Sequence, residues 1–434
     1  MSGTEPAGDG PDFTIARLGD CRIPSPMFGT RFVSDDERVL YPSTLDDLKR
    51  FQKAGADCPA MECAGPRERL FFDPSGLACG IVTCGGLCPG LNDVIRAIVL
   101  SLYHHYGVQQ IVGFRYGFAG LVAGIGSEPV PLTPETVNRI HHTGGSILGS
   151  SRGPQDPAAM VDRLRRLGVR VLFAIGGDGT LRGAHAISDE AAKQGEPISV
   201  IGVPKTIDND VSFVQKTFGF ETAVTEAWRA TYAANIEAEG AFNGVGLVKL
   251  MGRDSGFIAA YAVLVDGHVN FCLIPEVPFT LERLTTALRE RLERRGHAVV
   301  VVAEGAGQDL LARPNERDAS GNVKHGDIGL FLRDAITRCF EESGTPLSLK
   351  YIDPSYAIRS APATAHDSAF CLLLGHNAVH AAMTGRTDMV VGFWNHQFTH
   401  VPIRLAVSAR KTIDPEGTLW SSVLGSTGQP RDLT

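Results

Sequence analysis

The sequence lacks the features of secreted, membrane-spanning and nucleic-acid-binding proteins. Its longest apolar runs, such as AVVVVA at 298–303, have the length of a strand and are too short to cross a bilayer. The N-terminal MSGTEPAGDGPDF has neither a basic start nor an apolar core, so it does not resemble a signal peptide. A net charge of -7 provides no basic field for nucleic acid or anionic lipid. These absences predict a cytoplasmic protein with neither a nucleic-acid nor a membrane partner.

The sequence also lacks the cysteine patterns of disulfide frameworks and zinc sites. Its nine cysteines are scattered and include no CxxC pair. Cys84 and Cys88 flank a glycine-containing turn, but a metal site would need two further ligands at matching spacing. We therefore expect reduced, packed thiols.

What the sequence does contain is a repeated alternation of β-rich runs and helical periodicity from about residue 77, which is typical of βαβ units. At 434 residues the chain is also too long for one ordinary core. We predict an α/β protein with two Rossmann-like parallel-sheet domains and an N-terminal extension. The predicted division is 1–75 for the extension, 76–221 with a return at about 357–408 for a nucleotide-binding domain, and 222–356 with 409–434 for a sugar-phosphate-binding domain.

Local signals predict individual elements. Asn92 is a candidate cap for the helix after LACGIVTC (77–84), and Asp156 with Pro157 opens another helix. Residues 221–239 are predicted to form an amphipathic helix, because Val224, Trp228, Tyr232 and Ile236 recur at four-residue intervals. The segment 313–327 is predicted to be a polar surface loop.

Polar groups follow several of the predicted strands, at the edge of the sheet where ligands of parallel α/β proteins collect. GGLCPGLND (85–93) allows close approach of an anion to the backbone, although glycine turns without a ligand are also common. In GGDGT (176–180) the glycines leave space for phosphate, and Thr180 is a candidate cap for a helix near Leu181. Asp178 would repel phosphate unless a cation lay between them, which favours Mg²⁺; the alternative is an Asx-turn.

The most polar strand end is VPKTIDND (203–210). In an extended segment Asp208 and Asp210 point to the same side, which favours a paired carboxylate site with one group as the base. Lys205 adds positive charge for a transferring phosphoryl group. The alternative is a tight polar turn in which both carboxylates accept hydrogen bonds from backbone amides.

Two arginines complete the candidate set, Arg152 in SSRGP and Arg253 in MGR. The planar guanidinium suits phosphate, although a lone loop arginine is more often a surface ion-pair partner. The residues alone therefore indicate Mg²⁺-dependent phosphoryl transfer, without naming the acceptor.

The motifs GGLCPGLN, LGSSRGP, GGDGT, PKTIDND, MGR, VVAEG and YIDPSYAIR occur in the same order as in the 6-phosphofructokinase family. The chain resembles the long ATP-dependent branch of plants and trypanosomatids from about residue 77 to its C-terminus. The resemblance implies transfer of the γ-phosphoryl group of MgATP to the 1-hydroxyl of fructose 6-phosphate in glycolysis. It also implies an allosteric homotetramer.

The resemblance assigns roles to individual residues. Asp208 would be the base, with Arg253, Thr206 and Lys205 around the transferred group, and Asp178 would hold Mg²⁺. The implied nucleotide-binding residues are Gly85, Arg152, Gly153, Gly177, Asp178, Gly179 and Thr180. The implied sugar-phosphate residues are Thr206, Ile207, Asp208, Met251, Gly252, Arg253, Glu304, Tyr356, Ala357, Ile358 and Arg359, with Lys350 as a helper.

The phosphoryl donor depends on Gly179 and Lys205. Pyrophosphate-using relatives carry an acidic residue at the Gly179 position, whereas many bacterial ATP enzymes carry glycine at the Lys205 position. The plant-like branch combines the Gly179 and Lys205 types, which favours ATP. The alternatives are a pyrophosphate-dependent phosphofructokinase and a catalytically silent sugar-phosphate-binding subunit. NAD and diacylglycerol kinases also carry GGDGT, but TIDND followed by MGR is not expected in them.

Overall fold

The computed structural model describes residues 10–55, 57–122, 124, 128–311 and 324–434. Within these ranges the strands are β1 Ala16–Arg17, β2 Ile23–Pro24, β3 Arg38–Leu40, β4 Ala60–Cys63, β5 Arg69–Leu70, β6 Ala78–Thr83, β7 Gln110–Phe114, β8 Val130–Pro131, β9 Val169–Gly176, β10 Ser199–Pro204, β11 Gly244–Leu250, β12 Phe271–Leu273, β13 His297–Ala303, β14 Ser348–Ile352, β15 Arg386–Thr387, β16 Met389–Trp394 and β17 Gln397–Pro402.

The α-helices of the same ranges alternate with these strands. They are α1 Leu45–Ala54, α2 Leu91–Tyr106, α3 Pro157–Arg166, α4 Asp178–Lys193, α5 Phe220–Glu239, α6 Phe257–Asp266, α7 Leu281–Arg295, α8 Ile328–Glu342, α9 Ser355–Ser360, α10 Ala365–Met383, α11 Ile403–Ala406 and α12 Thr418–Thr427. No described helix is long and apolar enough to cross a membrane.

The larger sheet has the strand order β3-β4-β17-β16-β10-β9-β6-β7-β8. Its central strands β16, β10, β9, β6 and β7 are parallel, and antiparallel strands lie on both sides. Strands β6, β9 and β10 are almost entirely buried, as expected for continuous apolar runs covered by helices on both faces. Part of the N-terminal extension belongs to this sheet, because β3 and β4 pair beside β17.

The smaller sheet is wholly parallel, with the order β12-β13-β11-β14. The C-terminal segment packs on this part of the molecule: the Gln429 side chain hydrogen-bonds to the backbone of Cys272, and Leu433 bridges to Phe279. A larger sheet with a parallel centre and antiparallel edges, a smaller parallel sheet, and an N-terminal extension confirm the predicted α/β fold class.

The predicted packing face of α5 is wrong. Val224 is buried, but the side chains of Trp228, Tyr232 and Ile236 are exposed, at 37%, 51% and 50%. Alanines form much of the buried face instead, because the helix lies very close to β11: a Cβ on Gly246 would stand 2.8 Å from the Cβ of Ala234. Only small side chains fit at that distance.

Two predicted helix caps are also wrong, whereas Asp156 caps α3 as predicted. Helix α2 begins two residues earlier than expected, after Gly90 at φ 92°, and the Asn92 side chain bonds instead to Thr143 O and to Ile147 N. Helix α4 begins at Asp178 with Gly177 as its N-cap, so Thr180 lies buried in the first turn.

Two further sequence predictions concern the cysteines and the polar loop. All nine cysteines are free thiols, as predicted. Most of the predicted loop 313–327 lies outside the described residues. The end of the loop, from Lys324 onward, is attached to the rest of the protein: Gly326 N donates to the Gln308 side chain, which in turn donates to Glu304 O.

Candidate active site

The ends of β6, β9 and β10 bring three of the predicted motifs together. Thr83 pairs with Ile175 and Pro204 with Gly176, so the following loops leave the same edge of the sheet. Lys205 N donates to Gly176 O at 2.9 Å, and the Lys205 ammonium donates to Gly86 O. Lys205 is 7% exposed, and burial lowers the pKa of its ammonium group. This places a partly compensated cation beneath the glycine loops.

Glycines line the site where side chains would intrude. Gly85 has φ 86°, and a Cβ there would meet Lys205 Nζ at 3.4 Å. A Cβ on Gly86 would be equally close to Arg152 Nη2, which places Arg152 at this loop, next to Gly153 at φ 104°. Around Gly179, in contrast, a Cβ would find no atom within 4 Å. The GGDGT turn therefore faces open space, with the amide groups of the first turn of α4 available to an anion.

Asp178 lies at the N-terminal end of α4 and is 30% exposed. Its Oδ2 accepts a hydrogen bond from Arg182 Nε at 3.1 Å and lies 4.0 Å from Arg410 Nη2. The carboxylate thus forms ion pairs with arginines instead of the alternative Asx-turn. It remains accessible from the open side of the turn.

Asp208 is the most unusual carboxyl group of the site. Its Oδ1 is buried and has no hydrogen-bond partner among the described residues. Burial, followed by the charges of Asp210 and Glu304, raises the pKa of Asp208 to about 8, although Arg410 and Arg359 oppose the rise. Such a group is a competent proton acceptor near neutral pH.

The predicted extended geometry of Asp208 and Asp210 is wrong, because Asn209 adopts φ 54° and turns the chain between them. The hydroxyl of Thr206 explains the turn: it donates to Asp210 Oδ1 at 2.8 Å and accepts from Asp208 N at 3.1 Å. Asp210 also binds Arg410. The two aspartates are therefore not equivalent, since Asp210 is paired and Asp208 Oδ1 is not.

The smaller sheet contributes Met251, Gly252, Arg253 and Glu304. Leu250 pairs with Ala303 at the ends of β11 and β13, and Gly305 N donates to Gly252 O at 3.0 Å. Gly252 has φ 124°, a conformation that favours glycine. Arg359 Nε donates to Met251 Sδ at 3.2 Å. The electrostatic effect of Glu304 and Arg359 on Asp208 shows that these residues and the TIDND loop share one site.

The predicted phosphate-binding residues on the short helix α9 differ in their exposure to solvent. Tyr356 is 83% exposed and Ala357 is also exposed, whereas Ile358 is fully buried in the core. Ile358 therefore presents no exposed atom to a ligand in this structure, and its N–H donates to Pro354 O. Ile207 is similarly buried. Lys350 is exposed on the edge strand β14, and among the described residues no hydrogen bond or ion pair joins it to α9.

Three further residues belong to the site, although the sequence motifs did not indicate them. Arg410 contacts Asp178, Asp210 and Asp254. Asp254, directly after MGR, carried a weak signal because it follows a predicted strand end. The third residue is His325, whose backbone neighbour Gly326 is tied beside Glu304 and whose pKa is lowered by burial and by the charge of Arg253.

A glycine-lined anion site, a raised-pKa carboxyl group, an accessible carboxylate and several cations define an enzyme of phosphoryl transfer. Residues 78–382 match the family described as Phosphofructokinase. An ATP-dependent 6-phosphofructokinase of Amycolatopsis methanolica is 50% identical over 97% of this chain and 96% of its own length. The enzyme of that name from Trypanosoma brucei brucei is 45% identical over 95% of this chain and 86% of its own length. The chain belongs to the phosphofructokinase family.

A solved structure agrees with the fold. The pyrophosphate-dependent phosphofructokinase of Marinobacter aquaeolei superimposes with a TM-score of 0.67 over 81% of this chain and 91% of its own length, at 20% identity. The predicted resemblance to the ATP-dependent branch is confirmed by the trypanosomatid relative, and the Amycolatopsis enzyme extends it to a bacterium.

Proposed function

We propose that the chain is a kinase that transfers the γ-phosphoryl group of MgATP to the 1-hydroxyl of D-fructose 6-phosphate, giving fructose 1,6-bisphosphate and ADP in glycolysis. One observation carries the chemistry: Asp208 has a buried oxygen without a partner and a pKa raised to about 8 by burial. A sugar hydroxyl beside this oxygen would satisfy it with a hydrogen bond and transfer its proton to it. Relatives named for the ATP-dependent activity, at 45–50% identity, support the choice of substrates.

Two cations and a hydroxyl donor would surround the transferred phosphoryl group. In this proposal Lys205, Thr206 and Arg253 surround the transferred group, and their fixed positive charge and donors stabilise the charge of the transition state. Lys205 is well placed, because its ammonium already touches the GGLCPG loop through Gly86 O. The loops with Gly85, Arg152 and Gly153 and the turn from Gly177 to Thr180 would hold the nucleotide.

Asp178 fits the proposed Mg²⁺ site. Its carboxylate is accessible and shares the Arg410 guanidinium with two other carboxylates, so hard oxygen ligands and negative charge are concentrated there. Magnesium, when bound, supplies positive charge to the phosphate oxygens. The residues of the smaller sheet, Met251, Gly252, Arg253 and Glu304, would orient the sugar.

We place the 6-phosphate beside α9, at Tyr356, Ala357 and Arg359, with Ile358 packed in the core beneath them; Arg359 is anchored by Met251. The proposed domain division follows the two sheets, with the nucleotide on the larger and the sugar phosphate on the smaller. Strands β16 and β17 (389–402) return to the larger sheet, and 418–433 pack on the smaller one.

ATP is the proposed donor because the space around Gly179 is open. An acidic side chain there would project into this space and repel the α-phosphate of a nucleotide. The test measures initial rates of fructose 1,6-bisphosphate formation with Mg²⁺ and either ATP or pyrophosphate, with a reaction lacking Mg²⁺ as control. We expect activity with ATP and Mg²⁺ only. Activity with pyrophosphate alone would reject ATP as the donor. No activity with either donor would favour the catalytically silent subunit.

A homotetramer in the cytoplasm is also proposed. The side chains of Trp228, Tyr232 and Ile236 on α5, and of Phe242 just after it, are exposed, Phe242 by 78%, and are suited to contact between subunits. The free thiols fit a reducing compartment. We expect Trp228→Ser with Tyr232→Ser to reduce the molar mass measured by light scattering. Unchanged mass would exclude this face as a subunit contact.

A further inference from the structure

Arg410 joins three carboxylates from different parts of the active site. Its Nη1 binds Asp210, its Nε lies 3.2 Å from Asp254 Oδ2, and its Nη2 lies 4.0 Å from Asp178 Oδ2. Asp178 begins α4, Asp210 follows β10 and Asp254 follows β11. One guanidinium group therefore lies between the proposed metal ligand, the loop of the proposed base and the end of the sugar-side strand.

The backbone around Arg410 is fixed from both sheets. On the side of the larger sheet, Lys411 N donates to Asp210 O and the Ser212 hydroxyl donates to Ala409 O, both at 2.9 Å. On the side of the smaller sheet, the Ser255 hydroxyl donates to Lys411 O and Ile413 N donates to Glu276 Oε1. The segment 409–413 thus spans the two sheets and holds the guanidinium in place.

The contacts of Arg410 differ in strength. Asp210 is 4% exposed, and within the described ranges its other oxygen accepts a hydrogen bond from the Thr206 hydroxyl alone, so loss of Arg410 would leave a poorly compensated buried charge. Asp178 is 30% exposed, is separated from Arg410 by a longer distance, and has Arg182 as a closer partner. The contact with Asp178 is therefore the easier one to release.

We propose that Arg410 is a positioning residue: it fixes the Thr206–Asp210 turn that carries Asp208, and it occupies the cationic position beside Asp178 until a divalent cation arrives. The inference rests on the proposed Mg²⁺ site and base. Because like charges repel, the guanidinium weakens binding of a divalent cation to the nucleotide-free enzyme. With a cation held by Asp178, Arg410 would give up its contact with that carboxylate and keep its ion pair with Asp210.

The test uses Arg410→Gln in the full chain, with Arg404→Gln as a matched control. Arg404 lies in the same C-terminal region but pairs with the exposed Asp12. Binding of Mn²⁺ without nucleotide is measured from the free-ion electron paramagnetic resonance signal, and kcat and KM for fructose 6-phosphate are measured separately. We expect Arg410→Gln to bind Mn²⁺ about threefold tighter or more. Its kcat should fall about tenfold or more, with KM changed by less than about threefold.

Arg410→Lys separates charge from geometry. The ammonium keeps the positive charge but lacks the planar fork, so Mn²⁺ affinity should return to about the wild-type value while kcat stays low. If Arg410→Gln matches Arg404→Gln in either Mn²⁺ affinity or kcat, the proposal is wrong. A KM effect that accounts for the whole loss in kcat/KM would also reject it.

Unfolding of Arg410→Gln would not prevent the test, because Asp210→Asn removes the buried charge that the variant would expose. Mn²⁺ binding about threefold tighter in the double variant than in Asp210→Asn alone would support the proposal, and equal binding would overturn it. The metal measurement needs no turnover. An inactive wild-type enzyme would therefore reject the proposed function and leave the Mn²⁺ result interpretable.

Discussion

The active site and an ionic network near the N-terminal extension both contain a carboxyl group with a buried oxygen. In the network the carboxylate is paired with cations, whereas in the active site the buried oxygen is unpaired. The Glu62 network consists of Arg17, Asp35, Glu62, Arg67, Arg386 and His400. Its Glu62 carboxylate binds Arg17 at 2.9 Å, Arg386 at 2.7 Å and His400 at 3.1 Å. At the active site, by contrast, a buried oxygen of Asp208 has no partner among the described residues.

The electrostatic consequences are also opposite. Although burial raises it, the pKa of Glu62 is held well below its usual range by the hydrogen bond from His400 and the charge of Arg386. For Asp208, burial and the neighbouring acids act together, and its pKa is about 8. The Glu62 carboxylate, bound by two arginines and a histidine, thus serves the structure, although His400 Nε2 beside it has no hydrogen-bond partner among the described residues. The unpaired oxygen of Asp208, set among the glycine loops and cations of the candidate site, offers a place for a ligand.

Of the substitutions that test this comparison, we expect Glu62→Gln to have the largest effect, which is on stability. Arg386 is 1% exposed, so removal of the Glu62 charge leaves its buried guanidinium with the half-exposed Asp35 as its remaining carboxylate partner among the described residues. We expect the free energy of unfolding to fall by about 3–5 kcal/mol, measured by denaturant titration, with kcat per folded molecule unchanged. Asp20→Asn, which breaks the exposed pair with Arg22, is the control and should cost less than about 1 kcal/mol. Equal effects of both variants would contradict the comparison.

Asp208→Asn tests the active-site half of the comparison, the unpaired carboxyl group. Loss of the base should lower kcat by about a hundredfold or more, while sugar-phosphate binding measured by calorimetry stays nearly intact. The melting temperature should not fall, because Asp208 Oδ1 contributes no hydrogen bond to the fold. A small effect on kcat would remove Asp208 from the role of base.

A smaller effect is expected on the pH dependence. A base with a pKa of about 8 makes kcat/KM rise with pH and level off above that value, when both substrates are below saturation. Asp210→Asn removes the like charge that, after burial, most raises the pKa of Asp208. The rising part of the plot of kcat/KM against pH should therefore move to lower pH by about one unit or less. The control is Asp162→Asn on the surface of α3. A shift of the profile to higher pH, or a profile equal to that of the control, would contradict the role of the Asp210 charge.

The parallel sheet was predictable because its strands are buried on both faces and read as apolar runs before glycine-rich loops. The convergence of GGDGT and TIDND followed from that geometry. The buried face of α5 was not predictable from large apolar residues, because the closeness allowed by Gly246 selects alanines such as Ala234. Sequence periodicity counts hydrophobic residues and carries no information on the distance to the neighbouring element.

The part of the site that the sequence missed depends on contacts between distant positions. Arg410 meets Asp210 across 200 residues, through an antiparallel bridge between Val211 and Arg410. No local pattern marks such a pair. The left-handed conformation of Asn209 was similarly hidden, because the Thr206 hydroxyl that stabilises the turn looks like one more polar residue of the motif.

The strand order of the larger sheet has a consequence during synthesis on the ribosome. Strand β16 covers the edge of β10, and β4, already paired with β3, finds its second neighbour in β17, more than 300 residues later. The four strands of the smaller sheet are all translated before residue 353. We expect the smaller sheet to form first on the growing chain, while the edge of β10 stays open to chaperones or aggregation until the last strands emerge.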